Sequence, residues 1–197
     1  MTSRLTYLFT RFCRLPRSRG FGVQSPWAYR FVRSVVSERR PYYAYLDHKE
    51  HLQSLPKSCR RICRFMVRLA NFVQAKVWIS LGSDVEMYER YIHAGCVGSE
   101  ISHTASAVDG LTADDAWAVL VSATDNDAVV QALQLMKQAD EKCLLVVDNI
   151  RRDKAARQTW RQLKSQIPST VVFDMHDCAV MFFHTVNHRQ TYAVRLP

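Results

Sequence analysis

Between Cys143 and Asp177 the chain reads CLLVVDNIRRDKAARQTWRQLKSQIPSTVVFDMHD, a strand, a helix and a second strand in quick succession. Residues 144–147 form a continuous apolar run too short for a helix, as expected of a parallel strand covered on both faces. That pattern commits the chain to an α/β sheet and constrains the fold more than any other stretch. Asp148 and Asn149 fall at the carboxyl end of the first strand, the edge where ligands sit in open α/β sheets. Two adjacent oxygen-bearing side chains there are candidates for chemistry. Either can instead cap the helix that follows.

The same grammar extends along the chain. Leu5, Leu8, Phe9 and Phe12 recur at helical spacing among Arg4, Arg11 and Arg14, which predicts a short amphipathic helix ended near Pro16. Ser25-Pro26 starts a second helix, with Ser as N-cap and Trp27, Ala28, Phe31, Val32 and Val35 on one apolar face. Residues 41–45 close it and open a connection running to about Pro56. Over 57–74 a third helix turns Ile62, Phe65, Met66, Leu69, Phe72 and Val73 inward. Arg60, Arg61, Arg64 and Arg68 then lie on its other side, as a solvated face or an anion site.

A strand over 76–81, the turn Gly82-Ser83-Asp84 and a helix over 85–94 begin a Rossmann-like unit. Residues 117–122 are the next strand, and Asp125 or Asn126 caps a helix over 127–137. Three β-rich runs, 170–173, 179–183 and 191–196, predict an antiparallel finish.

Charge is distributed unevenly. Residues 1–40 hold nine Arg, no Lys and one acid, Glu38, and so carry +8 of the formal +9. An anionic partner is therefore to be sought at the N-terminus. The six Cys (13, 59, 63, 96, 143 and 178) form no CxxC pair, which argues against a disulfide framework and for reduced thiols in a cytoplasmic protein. Arg11 and Arg14 interrupt the first apolar residues, leaving no signal peptide core and no span of the roughly 20 residues a membrane helix needs. His48/His51 and His184/His188 have spacings that could bind metal, with surface or capping roles as the alternative. His176-Asp177 is the one pair placed to act as an acid/base couple.

Several segments resemble a bacterial O-methyltransferase-like branch of the class I S-adenosylmethionine-dependent methyltransferases. They are GFGVQSPWAYRFV, RPYYAY, RICRFMVRLANFVQAK, LLVVDNIRRDKAARQTWRQL, and VVFDMHDCAVMFFH with YAVRL. The resemblance implies a three-layer Rossmann-like α/β sheet, mostly parallel with an antiparallel C-terminal end, shortened near one edge and preceded by N-terminal helices. Residues 1–56 would be a basic helical extension and 57–197 the methyltransferase-type domain. It also implies S-adenosylmethionine bordered by Ser80, Gly82, Ser83 and Asp84, and a small-molecule acceptor faced by Asp148, Asn149 and His176.

The cofactor segment departs from the family's E-x-G-x-x-x-G pattern. Ser80 replaces the acid, Gly82 alone survives, and Glu86 stands where the second glycine belongs. Asp148-Asn149 resembles the Asp-Asn pair of the metal-dependent members, but Ser122 takes the place of their other Asp, so no metal site is expected. Two functional expectations follow: a methyltransferase-like protein with reduced or lost O- or N-methyl transfer, or a non-catalytic module. The module would bind nucleic acid, an anionic membrane or an acidic protein through its Arg-rich N-terminal region.

Overall fold

The computed structural model describes residues 22–183 and 189–197. The helix expected over 5–12 and the His184/His188 pair lie outside the described residues. Helix α1 (Pro26–Phe31) starts as the sequence predicts, with Ser25 Oγ accepting the Ala28 amide at 3.3 Å, and runs into a wider π-type turn at Val32–Val36. Where a plain connection was expected the chain forms two short helices, α2 (Tyr43–Asp47) and α3 (Lys49–Ser54). Helix α4 (Lys57–Val73) ends at Gln74 in the left-handed region, and β1 (Val77–Leu81) follows.

Beyond Gly82 the expected helix over 85–94 is two pieces. A 3-10 helix, Ser83–Tyr88, precedes α5 (Glu89–Gly95). The tight exit from Gly82 sets i→i+3 bonding, beginning with Val85 N to the Gly82 carbonyl at 3.4 Å. A Cβ on Gly95 would lie 2.2 Å from the Val67 carbonyl, so a glycine is what lets α5 pack onto α4. The remaining elements are β2 (Glu100–Ser102), β3 (Trp117–Ser122), α6 (Asn126–Leu135), β4 (Cys143–Asp148), α7 (Lys154–Gln166), β5 (Val171–Asp174), β6 (Ala179–Phe182) and β7 (Gln190–Ala193).

These strands make one mixed seven-stranded sheet in the order β2-β1-β3-β4-β6-β5-β7. Strands β1 to β4 pair in parallel. The C-terminal end is antiparallel through β6, which runs against both β4 and β5, while β7 lies parallel beside β5. Edge strand β2 has three residues, and only a 3-10 turn at Ala105–Val108 separates it from β3.

Helices on both faces explain why β1, β3 and β4 are buried throughout and apolar but for Ser80, Ser122 and Asp148. Val77, Ile79 and Leu81, with Val119, Val121, Leu145 and Val147, enter the core shared with Ala132, Trp160 and Leu163 of α6 and α7. Trp78, Leu120, Leu144 and Val146 enter the opposite core with Phe31 of α1, Phe65 and Leu69 of α4, and Ile92 of α5. Helices thus cover both faces.

The N-terminal helix is part of that second core. Trp27 meets Phe182 edge-on at 4.8 Å between centroids, and Phe31 lies 4.5 Å from Phe173. Full burial of an aromatic of this size contributes about 1.5–3 kcal/mol. Arg68 departs from the expected solvent face. It is 4 % exposed, with Nε donating to the Val35 carbonyl at 2.6 Å and a terminal nitrogen to Tyr45 Oη at 3.1 Å. The end of the π-turn leaves the Val35 carbonyl without a partner in its own helix, and Arg68 supplies one.

Candidate functional site at the carboxyl edge of the sheet

The period of two that sorts the strands also sorts their polar ends. Ser80, Ser122 and Asp148 share the face of Trp78, Leu120 and Val146, and all three are buried. Ser122 and Asp148 are register partners across β3 and β4. Ser80 Oγ has no hydrogen-bond partner among the described residues, while its carbonyl lies 3.3 Å from His103 Nδ1.

Asp148 caps no helix. Helix α7 begins six residues later, where Asp153 Oδ1 accepts the Ala156 amide at 2.8 Å. Asp148 instead points beneath the 3-10 helix, and Tyr88 Oη donates to its Oδ2 at 2.6 Å. Its Oδ1 lacks a hydrogen-bond partner among the described residues. Burial raises the carboxyl from its ordinary range to about 6, against the opposing pull of the Tyr88 hydroxyl. Burial and the neighbouring Asp148 charge push the Tyr88 phenol far upward, so it remains a proton donor. At 3 % exposure Asp148 is the most buried of the three residues that the resemblance sets toward an acceptor.

Asn149, the next residue, adopts φ 58°, a left-handed conformation that Asn tolerates better than most residues. Its Nδ2 donates to Ser122 Oγ at 3.1 Å. Ser122 Oγ is 2.6 Å from Thr124 Oγ1, which donates to Asp84 Oδ2 at 2.8 Å. Asp84 also lies 3.8 Å from Arg152. The fold thus joins Asp84, Ser122 and Asn149 through Thr124, a residue that no motif in the sequence singles out. Ser83 and Glu86 are exposed on the 3-10 helix beside this group.

Gly82 has φ 84°, and the space its missing Cβ would take is filled: such an atom would lie 2.4 Å from Asp125 Oδ2. Asp125 is at the same time the N-cap of α6, its Oδ1 accepting the Ala128 amide at 3.0 Å. The glycine therefore serves a tight turn and a carboxylate packed against it.

His176 belongs to a second group, in the turn between β5 and β6. Arg151 makes a bidentate pair with Asp174, at 2.8 and 2.6 Å, and donates to the His176 carbonyl at 2.8 Å. Asp174 Oδ1 also accepts the His176 amide at 3.0 Å. These bonds hold His176 at φ 81°, a costly conformation for a residue with a Cβ. Its Nδ1 pairs with Asp177 Oδ1 at 2.8 Å, and Arg61 lies 4.0 Å from the same carboxylate. The Asp177 carbonyl accepts the Ile150 amide at 3.1 Å, which ties this turn to the end of β4. Sequence reasoning found His176-Asp177 but missed Arg151 and Asp174, although Asp174 ends an apolar strand just as Asp148 does.

Two buried thiols, Cys63 and Cys178, are held in their protonated form. Burial pushes the Cys178 thiol up, and raises Cys63 to about 12. Among the described residues no group of three or more His, Cys, Asp or Glu converges as a metal site, and no helix is long and apolar enough to cross a membrane. No protein-family model matches the chain, and comparison with curated proteins and with solved structures finds no match.

Proposed function

We propose that the chain is a class I S-adenosylmethionine-dependent methyltransferase-like protein in which methyl transfer to oxygen or nitrogen of a small molecule is reduced or lost. Kinship is supported by the sheet, read as Rossmann-like: parallel strands at one side, a single antiparallel strand, β6, near the end, and helices on both faces. Reduced activity is supported most by the Asp125 carboxylate packed against Gly82. In a working site the bare backbone of that turn lets a cofactor approach closely; here the turn's own side-chain neighbour explains the glycine.

The other residues fit S-adenosylmethionine no better. Ser80 is neutral and buried, so it cannot pair with an ammonium group as a carboxylate does. Asp84 is engaged by Thr124 and lies close to Arg152, and Asp148 is turned beneath Tyr88. Titration calorimetry with S-adenosylmethionine tests the reading. Binding no tighter than about millimolar is expected, roughly 4 kcal/mol weaker than a micromolar cofactor site. A micromolar dissociation constant would restore the working enzyme.

A further inference from the structure

We propose that a cavity on the outer face of α4 binds a compact polyphosphate group carried by a small molecule. The cavity holds about 470 Å³, within the roughly 300–1,000 Å³ typical of small-molecule sites. From the N-terminal side it is lined by Arg39, Arg40 and Lys49, and from α4 by Arg60, Arg61, Arg64 and Arg68. Glu38 is the one acidic side chain among its lining residues, and Pro197, the last residue of the sequence, lines it as well. Pro41, Leu46 and Leu52 add an apolar wall against which the rest of such a ligand can lie.

Arg60, Arg64 and Arg68 are held by neutral groups, whereas Arg61 lies 4.0 Å from the Asp177 carboxylate. Arg60 donates to the carbonyls of Leu52, Gln53 and Leu55 at 2.7, 3.1 and 3.2 Å. Tyr45 braces two others: the Arg64 guanidinium lies 5.4 Å from its ring centroid, and its hydroxyl accepts from Arg68 at 3.1 Å. Carbonyl and phenol partners orient a guanidinium but leave its charge intact, which is preorganisation for an anion. The Glu38 carboxylate is turned to its own backbone, accepting the amides of Arg39 and Arg40 at 2.7 and 2.8 Å.

A solvated basic face would not look like this. Arg68 is buried at 4 % exposure; its hydrogen-bond acceptors are neutral, and Glu38 is the acid whose charge reaches it, so an anion in the cavity would add to that compensation. The N-terminal arm does not bring that anion, because residues 1–21 contain no Asp or Glu. Several positive groups gathered around one concave space suit a short cluster of phosphates. A nucleic acid or membrane surface is met by charge spread along a face. Of the lining residues only Arg61 reaches the sheet's carboxyl edge, 4.0 Å from Asp177, and the proposal does not depend on it or on the methyltransferase reading.

The test is titration calorimetry of the full-length protein at about 0.15 M salt, where weak surface attraction is largely screened. The probes are inorganic tripolyphosphate, inorganic phosphate, a short DNA duplex and phosphatidylserine vesicles. Tripolyphosphate is expected to bind in the micromolar range, at least about tenfold tighter than phosphate. Arg40→Gln/Arg64→Gln should weaken it by about tenfold or more, whereas Arg11→Gln/Arg14→Gln/Arg17→Gln should leave it unchanged. Thermal unfolding checks that each variant is folded; Lys49→Gln, at an exposed position, reads the same loss if the double variant is not. Tripolyphosphate binding no tighter than phosphate, or insensitive to the cavity variants, overturns the proposal. So does DNA or vesicle binding that the cavity variants abolish while tripolyphosphate fails to bind.

Discussion

Tyr88 Oη donates to Asp148 Oδ2 at 2.6 Å across 60 residues of sequence, and this buried bond ties the 3-10 helix after β1 to the end of β4. It also decides what Asp148 can do. Sealed beneath a tyrosine, this carboxyl couples its protonation to the protein's stability.

Stability should therefore depend on pH through Asp148. Its folded value of about 6 lies above its ordinary value of 3.8, so between these limits the folded state holds a proton that the unfolded state has released. The contribution is fully present below about pH 4 and is lost as pH rises through about 6. The difference amounts to about 2 to 3 kcal/mol. Asp148→Asn keeps an acceptor for Tyr88 and removes the titration, so urea unfolding between pH 4 and 7 should show the parent falling relative to the variant by about that much. Parallel profiles would show that Asp148 does not titrate in this window.

Magnesium should leave the unfolding temperature of the parent unchanged at millimolar concentration. The ion needs several hard oxygens in near-octahedral geometry, and Asp148 Oδ2 is already taken by Tyr88. Ser122 Oγ, which stands where a carboxylate would complete the set, is engaged by Asn149 and Thr124. A metal-dependent rise in the parent that vanishes in Asp148→Ala would establish a site at this edge.

Much of this arrangement was written locally. The apolar runs at Trp117–Ser122 and Cys143–Asp148 are the strands the sequence predicts, because a strand covered on both faces leaves a continuous hydrophobic signature. Asp125 was legible as a cap for the same local reason. Asp148 was not, because its position after a strand suits a cap and a buried carboxyl equally. Only the long-range approach of Tyr88 separates the two. Arg68 hid similarly: helical spacing assigns it to a face, but not to the Val35 carbonyl that a distant π-turn presents there. Gly82 was legible as a tight turn and, by resemblance, as the surviving glycine of a cofactor segment, but not its neighbour Asp125, which lies 43 positions away.

That neighbour gives a third prediction. Gly82→Ala places a Cβ at φ 84°, ψ 149°, a backbone region essentially confined to glycine, which costs about 1 to 3 kcal/mol, and drives it to 2.4 Å from Asp125 Oδ2. A total loss of about 2 to 4 kcal/mol is expected. Asp125→Ala alone removes the α6 cap, a loss of about 0.5 to 2 kcal/mol. Combined, the two should destabilise by less than their sum, by about 1 kcal/mol or more, because the second substitution clears the collision made by the first. Strict additivity in denaturant unfolding would mean that the two residues do not press on each other.

The last prediction concerns Arg151 and Asp174, which hold the β5–β6 turn. Asp174 is 6 % exposed and receives both arms of the guanidinium as well as the His176 amide, so its charge is compensated from two directions. Asp174→Asn keeps the shape but replaces an anion by a neutral amide, leaving the Arg151 charge without its partner. The Arg151 side chain is 27 % exposed, so water recovers part of the loss. Destabilisation by about 2 to 3 kcal/mol is expected, below the full cost of breaking a wholly buried pair. The consequence extends to His176, whose left-handed backbone is held by Asp174 at its amide and Arg151 at its carbonyl. In Asp174→Asn that strain loses its support and the turn can relax, so His176→Gly, which removes the strain, should recover less stability there than in the parent. Equal effects of His176→Gly in both backgrounds would separate the turn's conformation from the ion pair.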